Sequence, residues 1–263
     1  MKIKFSKYHG AGNDFVIIDD RKGDCSLTTS QVARICNRRV GVGADGLMLL
    51  RNSDSSDFRM LYYNSDGNTA SMCGNGARCI TAFARRLGII GDYTCFEASD
   101  DRHTATVLSW DGLSGIVKIA MNIVEQVRPC MDGFFVNTGV PHYVVQVVDI
   151  ADYDVFTNGR ALRNNPIFAP NGTNVDFIGT DADGRLFVRT YERGVEDETL
   201  SCGTGVTAAA LVWAAINGLG AGQVPVHALG GDFEVSWQRT QNTYNSVFLQ
   251  GAATFVFDGE GDF

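Results

Sequence analysis

Hydrophobic positions in this chain come in short runs, and the spacing within each run predicts its element. "FVIIDD", "LMLLR" and "FRMLYYN" are near-continuous apolar runs of strand length, the pattern of buried strands. Lys2–Phe5 reads as a further strand leading into the glycine-rich turn "HGAGNDF". Over Ser30–Arg39 the pattern turns helical, with Thr28 or Thr29 as cap and Gly41 beyond the end. A second helix is predicted directly after Cys73, stopping at Gly88, and three short β segments follow around Cys95, Val107 and Val117.

The same order then returns. "FFVNTGVPHYVVQVVDI" reads as strand, turn and strand, and "NVDFI" and "RLFVRTYE" as strands. A helix follows Cys202 and ends near Gly218, and strands around Val226, Val235, Phe248 and Phe255 close the chain. The repeat keeps its register. Cys202 lies 129 residues beyond Cys73, and Gly203 and Gly205 lie 129 beyond Gly74 and Gly76. Tyr143-Val144 stands 128 beyond Phe15-Val16, Glu192-Arg193 129 beyond Tyr63-Asn64, and Gly218 130 beyond Gly88. The expected fold is α/β (α+β) with two similar domains. Residues 1–120 carry Cys73 and residues 121–263 carry Cys202, the last strand being able to cross back to the first domain. Two such domains would face each other across a cleft, the usual place for a small-molecule site.

Composition narrows the partners. The 263 residues suffice for one large domain or two ordinary ones, and a hydrophobic content of 44% is that of a globular protein. Against 30 Asp and Glu stand 22 Lys and Arg, a formal net charge of −8. That balance argues against nucleic acid or an anionic membrane as partner, while an acidic small molecule stays possible in a locally positive site. No apolar run approaches the roughly 20 residues of a membrane span, and "MKIKFSKYHGAGNDF" lacks the apolar stretch of a secretory signal. The seven cysteines are odd in number, irregularly spread and without a CxxC, which reads as reduced thiols in the cytoplasm. Four scattered histidines offer no metal-ligand spacing, so no metal is expected.

Two of the cysteines stand apart. "NSDGNTASMCGNGARC" and "YERGVEDETLSCGTGVTAAA" each put a thiol, Cys73 or Cys202, before a Gly-x-Gly triplet and a predicted helix. A helix N-terminus offers unused N–H groups and the positive end of a dipole, which favour a thiolate. The glycines let backbone amides approach a bound anion. A carboxylate held by both loops would be flanked by both sulfurs, which suits removal of a weakly acidic α-proton from one face and return of one to the other. The remaining cysteines, Cys25, Cys36, Cys79, Cys95 and Cys130, read as packing residues. Phosphate loops are a weaker reading of "CGNGAR" and "CGTGVT", which have neither the Lys-Ser/Thr ending of a P-loop nor dinucleotide-fingerprint spacing.

"HGAGNDF", "NSDGNTASMCGNGARC", "GVPH", "TNVDF" and "YERGVEDETLSCGTG" resemble the motifs of the diaminopimelate epimerase family, over nearly the whole chain. The resemblance implies a PLP-independent epimerase without cofactor that interconverts LL- and meso-diaminopimelate, for lysine and peptidoglycan precursors. It implies two pseudo-symmetric domains, each a mixed β-sheet or barrel around a central helix. It carries the catalytic roles to Cys73 and Cys202, assisted by His142 and Glu192. It carries substrate contacts to Asn13, Asn64, Asn174, Glu192 and Arg193, and the two amide loops to Gly74-Asn75 and Gly203-Thr204. The expected assembly is a cytoplasmic homodimer.

The residue types suit those roles. Asparagine offers a donor and an acceptor to ammonium and carboxylate, arginine binds a carboxylate bidentately, and glutamate binds an ammonium or tunes a thiol. Without the resemblance, an asparagine beside glycine is commonly a turn residue and an adjacent Glu-Arg pair a solvated strand end. Three positions depart from the family pattern. Val140 stands where many members carry asparagine, Gly46 where some carry glutamine, and Asp197 where glycine is frequent. The first two bear on recognition of the distal end of the substrate. Two other readings stay open: an enzyme like the proline and hydroxyproline racemases, and a thiol redox or ligand-binding protein without turnover.

Overall fold

The computed structural model describes residues 2–70, 72–99 and 101–263. The chain divides into two compact units, Met1–Ile119 with Gly251–Phe263, and Ala120–Gln250.

In the first unit β1 (Lys2–Gly10), β2 (Asn13–Asp19), β3 (Gly46–Arg51), β4 (Phe58–Asn64), β5 (Tyr93–Glu97), β6 (Arg102–Trp110) and β7 (Gly115–Ala120) lie side by side in chain order. Two neighbouring pairs are parallel, β2 with β3 and β4 with β5. Parallel neighbours need a crossover. Here the crossovers are α1 (Thr29–Cys36) and α2 (Gly74–Arg86). The second unit repeats the plan with β8 (Val127–Cys130), β9 (Gly133–Asn137), β10 (Pro141–Gln146), β11 (Asn174–Thr180), β12 (Leu186–Glu192), the short β13 (Asp197–Thr199), β14 (Ala221–Ala228) and β15 (Gly231–Thr240). Its parallel pairs are β10 with β11 and β12 with β14, crossed by α3 (Val155–Arg163) and α4 (Gly203–Ile216). The last strand, β16 (Thr243–Asp262), serves both units. Its first part lies beside β15, and its later part lies beside β7 and pairs with β1, which closes the first unit into a barrel.

Composition puts α2 and α4 at the centres. Helix α4 contains no charged residue, and Gly205 to Val212 are all buried. A helix that is apolar all round must be enclosed by other elements. In α2 every residue from Gly74 to Ala84 is buried, and the half-buried cations Arg85 and Arg86 fall in the last turn, where the dipole favours them. The outer helices cover the other faces of the sheets. Val32, Ile35 and Cys36 of α1 pack on Val16, Ile18, Leu47 and Leu49. Val155 and Leu162 of α3 pack with Tyr143, Val145, Val175 and Phe177.

Several elements differ from expectation. The first strand runs on to Gly10, and only Ala11 and Gly12 are left for the turn. Helix α1 ends at Cys36 and not at Arg39, because the Asn37 side chain accepts from the amides of Arg39 and Val40 and so offers the backbone an alternative to the helix. Strands β8 and β13 and helix α3 were not anticipated. The α3 sequence "VFTNGRALR" has weak intrinsic helix propensity and is started by Asp154, whose carboxylate caps the Thr157 amide at 3.0 Å. The strands expected around Phe248 and Phe255 are one continuous strand, unbroken at Gly251. Among the described residues no helix is long and apolar enough to cross a membrane.

Candidate active site

The first unit presents Cys73 as the N-cap of α2, with extended backbone (φ −103°, ψ 128°) and no capping hydrogen bond from its side chain. The first amides of a helix have no intrahelical acceptor, and at this end they belong to Gly74, Asn75 and Gly76. Asn13, at the start of β2, reaches the same place. Its Nδ2 donates to Asp45 Oδ2 at 2.7 Å, which turns Oδ1 toward the Cys73 Sγ at 3.6 Å and the Asn75 Nδ2 at 3.3 Å. Asp45 is itself held by Arg38 at 2.7 Å. Beneath the loop lies Arg78, fully buried in α2, donating to Asn75 Oδ1 at 2.8 Å and to the carbonyls of Gly74 and Ala252 at 3.3 Å. A cation in this place favours an anion held in the loop above it. Asn64 ends β4, exposed, in register with Gly46.

The second unit presents Cys202 as the N-cap of α4, again extended (φ −121°, ψ 113°) and again making no capping bond. Its Sγ lies 3.3 Å from Thr204 Oγ1. That hydroxyl is 3.0 Å from His142 Nε2, and His142 Nδ1 is 2.6 Å from Asp176 Oδ2. Thr190 donates to the other Asp176 oxygen at 2.7 Å. His142 and Asp176 are fully buried, on the parallel neighbours β10 and β11. Asn174 lies with its Nδ2 3.4 Å from His142 Nε2, while its Oδ1 accepts the Arg193 amide at 2.8 Å. Thr138 fixes the loop by donating to the Thr204 carbonyl at 3.0 Å. Half-buried Glu192 and Arg193 sit at the end of β12, and the Arg193 guanidinium donates to the Asn171 carbonyl at 3.4 Å. The candidate residues thus gather in two sets: Cys73, Gly74, Asn75 and Asn13, with Asn64 in the same unit, and Cys202, Gly203, Thr204, His142, Asn174, Glu192 and Arg193.

The two loops differ in electrostatic setting. Burial pushes the Cys202 thiol well above the ordinary thiol range, and the carboxylates of Glu192 and Asp176 push it further. The Thr204 hydroxyl and the Gly205 amide act in the other direction and are outweighed. The pull toward a thiolate expected of a helix N-terminus is thus opposed at Cys202 by desolvation and like charge. Elsewhere, burial pushes the Cys36 thiol up to about 11, and Cys79 and Cys25 are also raised by burial. Buried, apolar surroundings of this kind make thiols inert.

Sequence reasoning missed Asp176, Thr190, Asp45 and Arg78. A signal was present for Asp176, a carboxylate between Val175 and Phe177 in a buried strand. The departure at Gly46 has a structural partner. A Cβ there would stand 2.5 Å from the Tyr62 ring and 2.7 Å from the Tyr63 carbonyl. Tyr62 therefore occupies the space that a longer side chain at position 46 would need.

The sequence profile of the diaminopimelate epimerase family matches residues 5–128 and 134–256. The diaminopimelate epimerase of Flavobacterium psychrophilum is 42% identical over 257 residues, which cover 97% of this chain and 99% of that protein. Among solved structures, a phenazine biosynthesis protein of the PhzF family from Bacillus anthracis has a TM-score of 0.76 at 16% identity, covering 100% of both chains. A probable proline racemase from Agrobacterium radiobacter has a TM-score of 0.71 at 17% identity, covering 99% of this chain and 92% of that one. At such identities these two share the fold alone.

Proposed function

The chain belongs to the diaminopimelate epimerase family, and from that premise we propose that Cys73 and Cys202 act as opposed base and acid on one α-carbon of diaminopimelate. The protein is an isomerase that converts LL-diaminopimelate to the meso form in lysine biosynthesis. One thiolate takes the α-proton and becomes a thiol. The electron pair left on carbon delocalises into the adjacent carboxylate. The other thiol delivers its proton to the opposite face and becomes a thiolate. One proton enters as one leaves, and the two sulfurs exchange protonation states.

The observation that carries this reading is the matched placement of the thiols. Each caps the central helix of its unit without spending its sulfur on the cap. The amides of Gly74-Asn75 and Gly203-Thr204 are assigned to the carboxylate, where negative charge grows in the transition state. His142 and Glu192 assist the thiols. Asn13, Asn64, Asn174 and Arg193 recognise ammonium and carboxylate groups, Arg193 by its fork of donors. No step is given to a cofactor or metal. Seven cysteines, odd in number and without a CxxC, suit a reducing cytoplasmic setting. A homodimer is the assembly proposed, to be read by light scattering on the eluted protein.

The test is chiral chromatography of LL-diaminopimelate and of L-proline incubated with the purified protein. Formation of meso-diaminopimelate with proline untouched is expected, and rates that survive chelator and borohydride treatment. Racemised proline with unchanged diaminopimelate would overturn the assignment, and so would loss of activity on metal removal that one metal restores.

A further inference from the structure

Behind Cys202 a line of hydrogen bonds runs through Thr204 to two neighbouring strands, β10 and β11, and ends in a buried carboxylate. We propose that Thr204 relays a proton between Cys202 and His142, and that Asp176, braced by Thr190, is the positioning residue that sets the His142 tautomer for this transfer. The proposal rests on the acid/base role given to Cys202.

The direction of each bond follows from its neighbour. Thr190 donates to Asp176 Oδ1 at 2.7 Å, leaving Oδ2 to face His142 Nδ1 at 2.6 Å. A carboxylate only accepts, so Nδ1 carries the hydrogen, and in the neutral form of the ring the lone pair is at Nε2. That lone pair meets the Thr204 hydroxyl at 3.0 Å and the Asn174 amide at 3.4 Å. Thr204 has one hydrogen. Once it points to Nε2, the oxygen can only accept from the Cys202 thiol at 3.3 Å. Thiol, hydroxyl and imidazole all donate in the same sense, toward Asp176.

This alignment permits a balanced step. The Cys202 S–H bond breaks as its proton moves to Thr204 Oγ, while the Thr204 proton moves to His142 Nε2. The products are a thiolate and an imidazolium, and the new cation lies against the Asp176 carboxylate. The reverse step reloads the thiol. No proton need leave for water, which matters for a thiol only 9% exposed. The charged groups facing Cys202 are Glu192 from β12 and Asp176 from β11, both of which oppose a thiolate. His142 from β10 supplies the one positive charge in the line, and only when it holds this proton. Asn174 separates it from the Arg193 backbone. In the first unit the hydrogen bonds described at Cys73 run instead through the Asn13 amide to Asp45. At Gly76, the counterpart of Gly205, a Cβ would meet Met48, Met60 and Phe15, where at Gly205 it would meet Asp176 and Thr190. The shared scaffold therefore does not require these polar groups, and a buried polar set costs stability unless fully satisfied.

The test reads Cys202 directly. Its alkylation by iodoacetamide is followed across pH in the reduced, substrate-free enzyme, by mass spectrometry of the Cys202 peptide. Thr204→Val, which keeps the branched shape and loses the hydroxyl, is expected to lower the rate near pH 7 by about tenfold, as for one unit of thiol pKa. Thr204→Ser should keep the wild-type profile. Asp176→Asn separates relay from charge. Removing a carboxylate beside a thiol would by itself raise its reactivity, whereas the relay requires a fall, because the imidazolium loses its partner. A wild-type profile in Thr204→Val, or a faster reaction in Asp176→Asn, overturns the proposal. Should Asp176→Asn unfold, the half-buried Thr204 pair decides alone. None of these readings uses turnover, so their failure would leave the two-thiol epimerase standing.

Discussion

At the scale of the residue, two sulfurs among seven are the proposed acid and base. Cys73→Ala and Cys202→Ala should each lower epimerisation by about 10³-fold or more, the order of a lost acid or base. Cys79, fully buried and pushed far up by burial, should give an enzyme that keeps its turnover as Cys79→Ala and loses only packing stability. Steady-state rates and urea midpoints of the three variants check this, and near-wild-type turnover in either N-cap variant would end the two-base reading. The thiols are legible in sequence because what marks them is local: glycines and a helix start within a few residues. Asp176 shows in sequence only as a carboxylate in an apolar strand, and its role comes from partners on β10, β12 and α4 that no spacing announces. Arg78 hides for the same reason. It looks like one more helix cation, and only the fold shows it fully buried under the Cys73 loop.

At the scale of the element, close approach governs. Helix α4 meets β11 so tightly at Gly205 that a Cβ would lie 2.4 Å from Asp176 Oδ1. Gly205→Ala should therefore cost about 1–3 kcal/mol by overpacking. It should also cost more in kcat than Gly91→Ala, where nothing stands within 4 Å of the added carbon. Equal effects on kcat would show that the helix end tolerates displacement. A second junction ties β1 to β2 and the segment after α1. Lys7 lies 2.7 Å from Asp14, and Arg38 bonds both Asp14 and Asp45. Burial alone would raise the Asp14 pKa, but hydrogen bonds from Arg38 and Lys7 reverse this and hold it well below the usual carboxylate range. A depressed folded-state pKa gives stability that is whole above the unfolded value of about 4 and fades as pH falls below it. Asp14→Asn should thus be less stable than wild type near neutrality, with the gap narrowing below about pH 4. A constant gap in urea midpoints across that range would remove Asp14 from the ledger. The strongly periodic or continuously apolar elements were readable, whereas α3 was not, because its start rests on one aspartate cap and its interior carries Thr, Asn and Gly.

At the scale of the whole molecule, the repeat was readable and its limits were not. Spacing near 129 residues reveals two copies of one plan, each with two parallel strand pairs and a thiol at the tip of the enclosed helix. It does not reveal that the first loop rests on a buried arginine and the second is backed by carboxylates. The copies are alike in backbone and unlike in charge. The central claim is that these thiols serve one carbon, one removing a proton and the other supplying a different one. The most direct measurement is early turnover of LL-diaminopimelate in deuterium oxide, with mass spectrometry of both isomers at low conversion. The supplying thiol exchanges with solvent before substrate binds, so the product should carry deuterium at the inverted α-carbon while recovered substrate stays largely unlabelled. Substantial retention of the original proton in the product would mean that a single base carries it across, and would contradict the account.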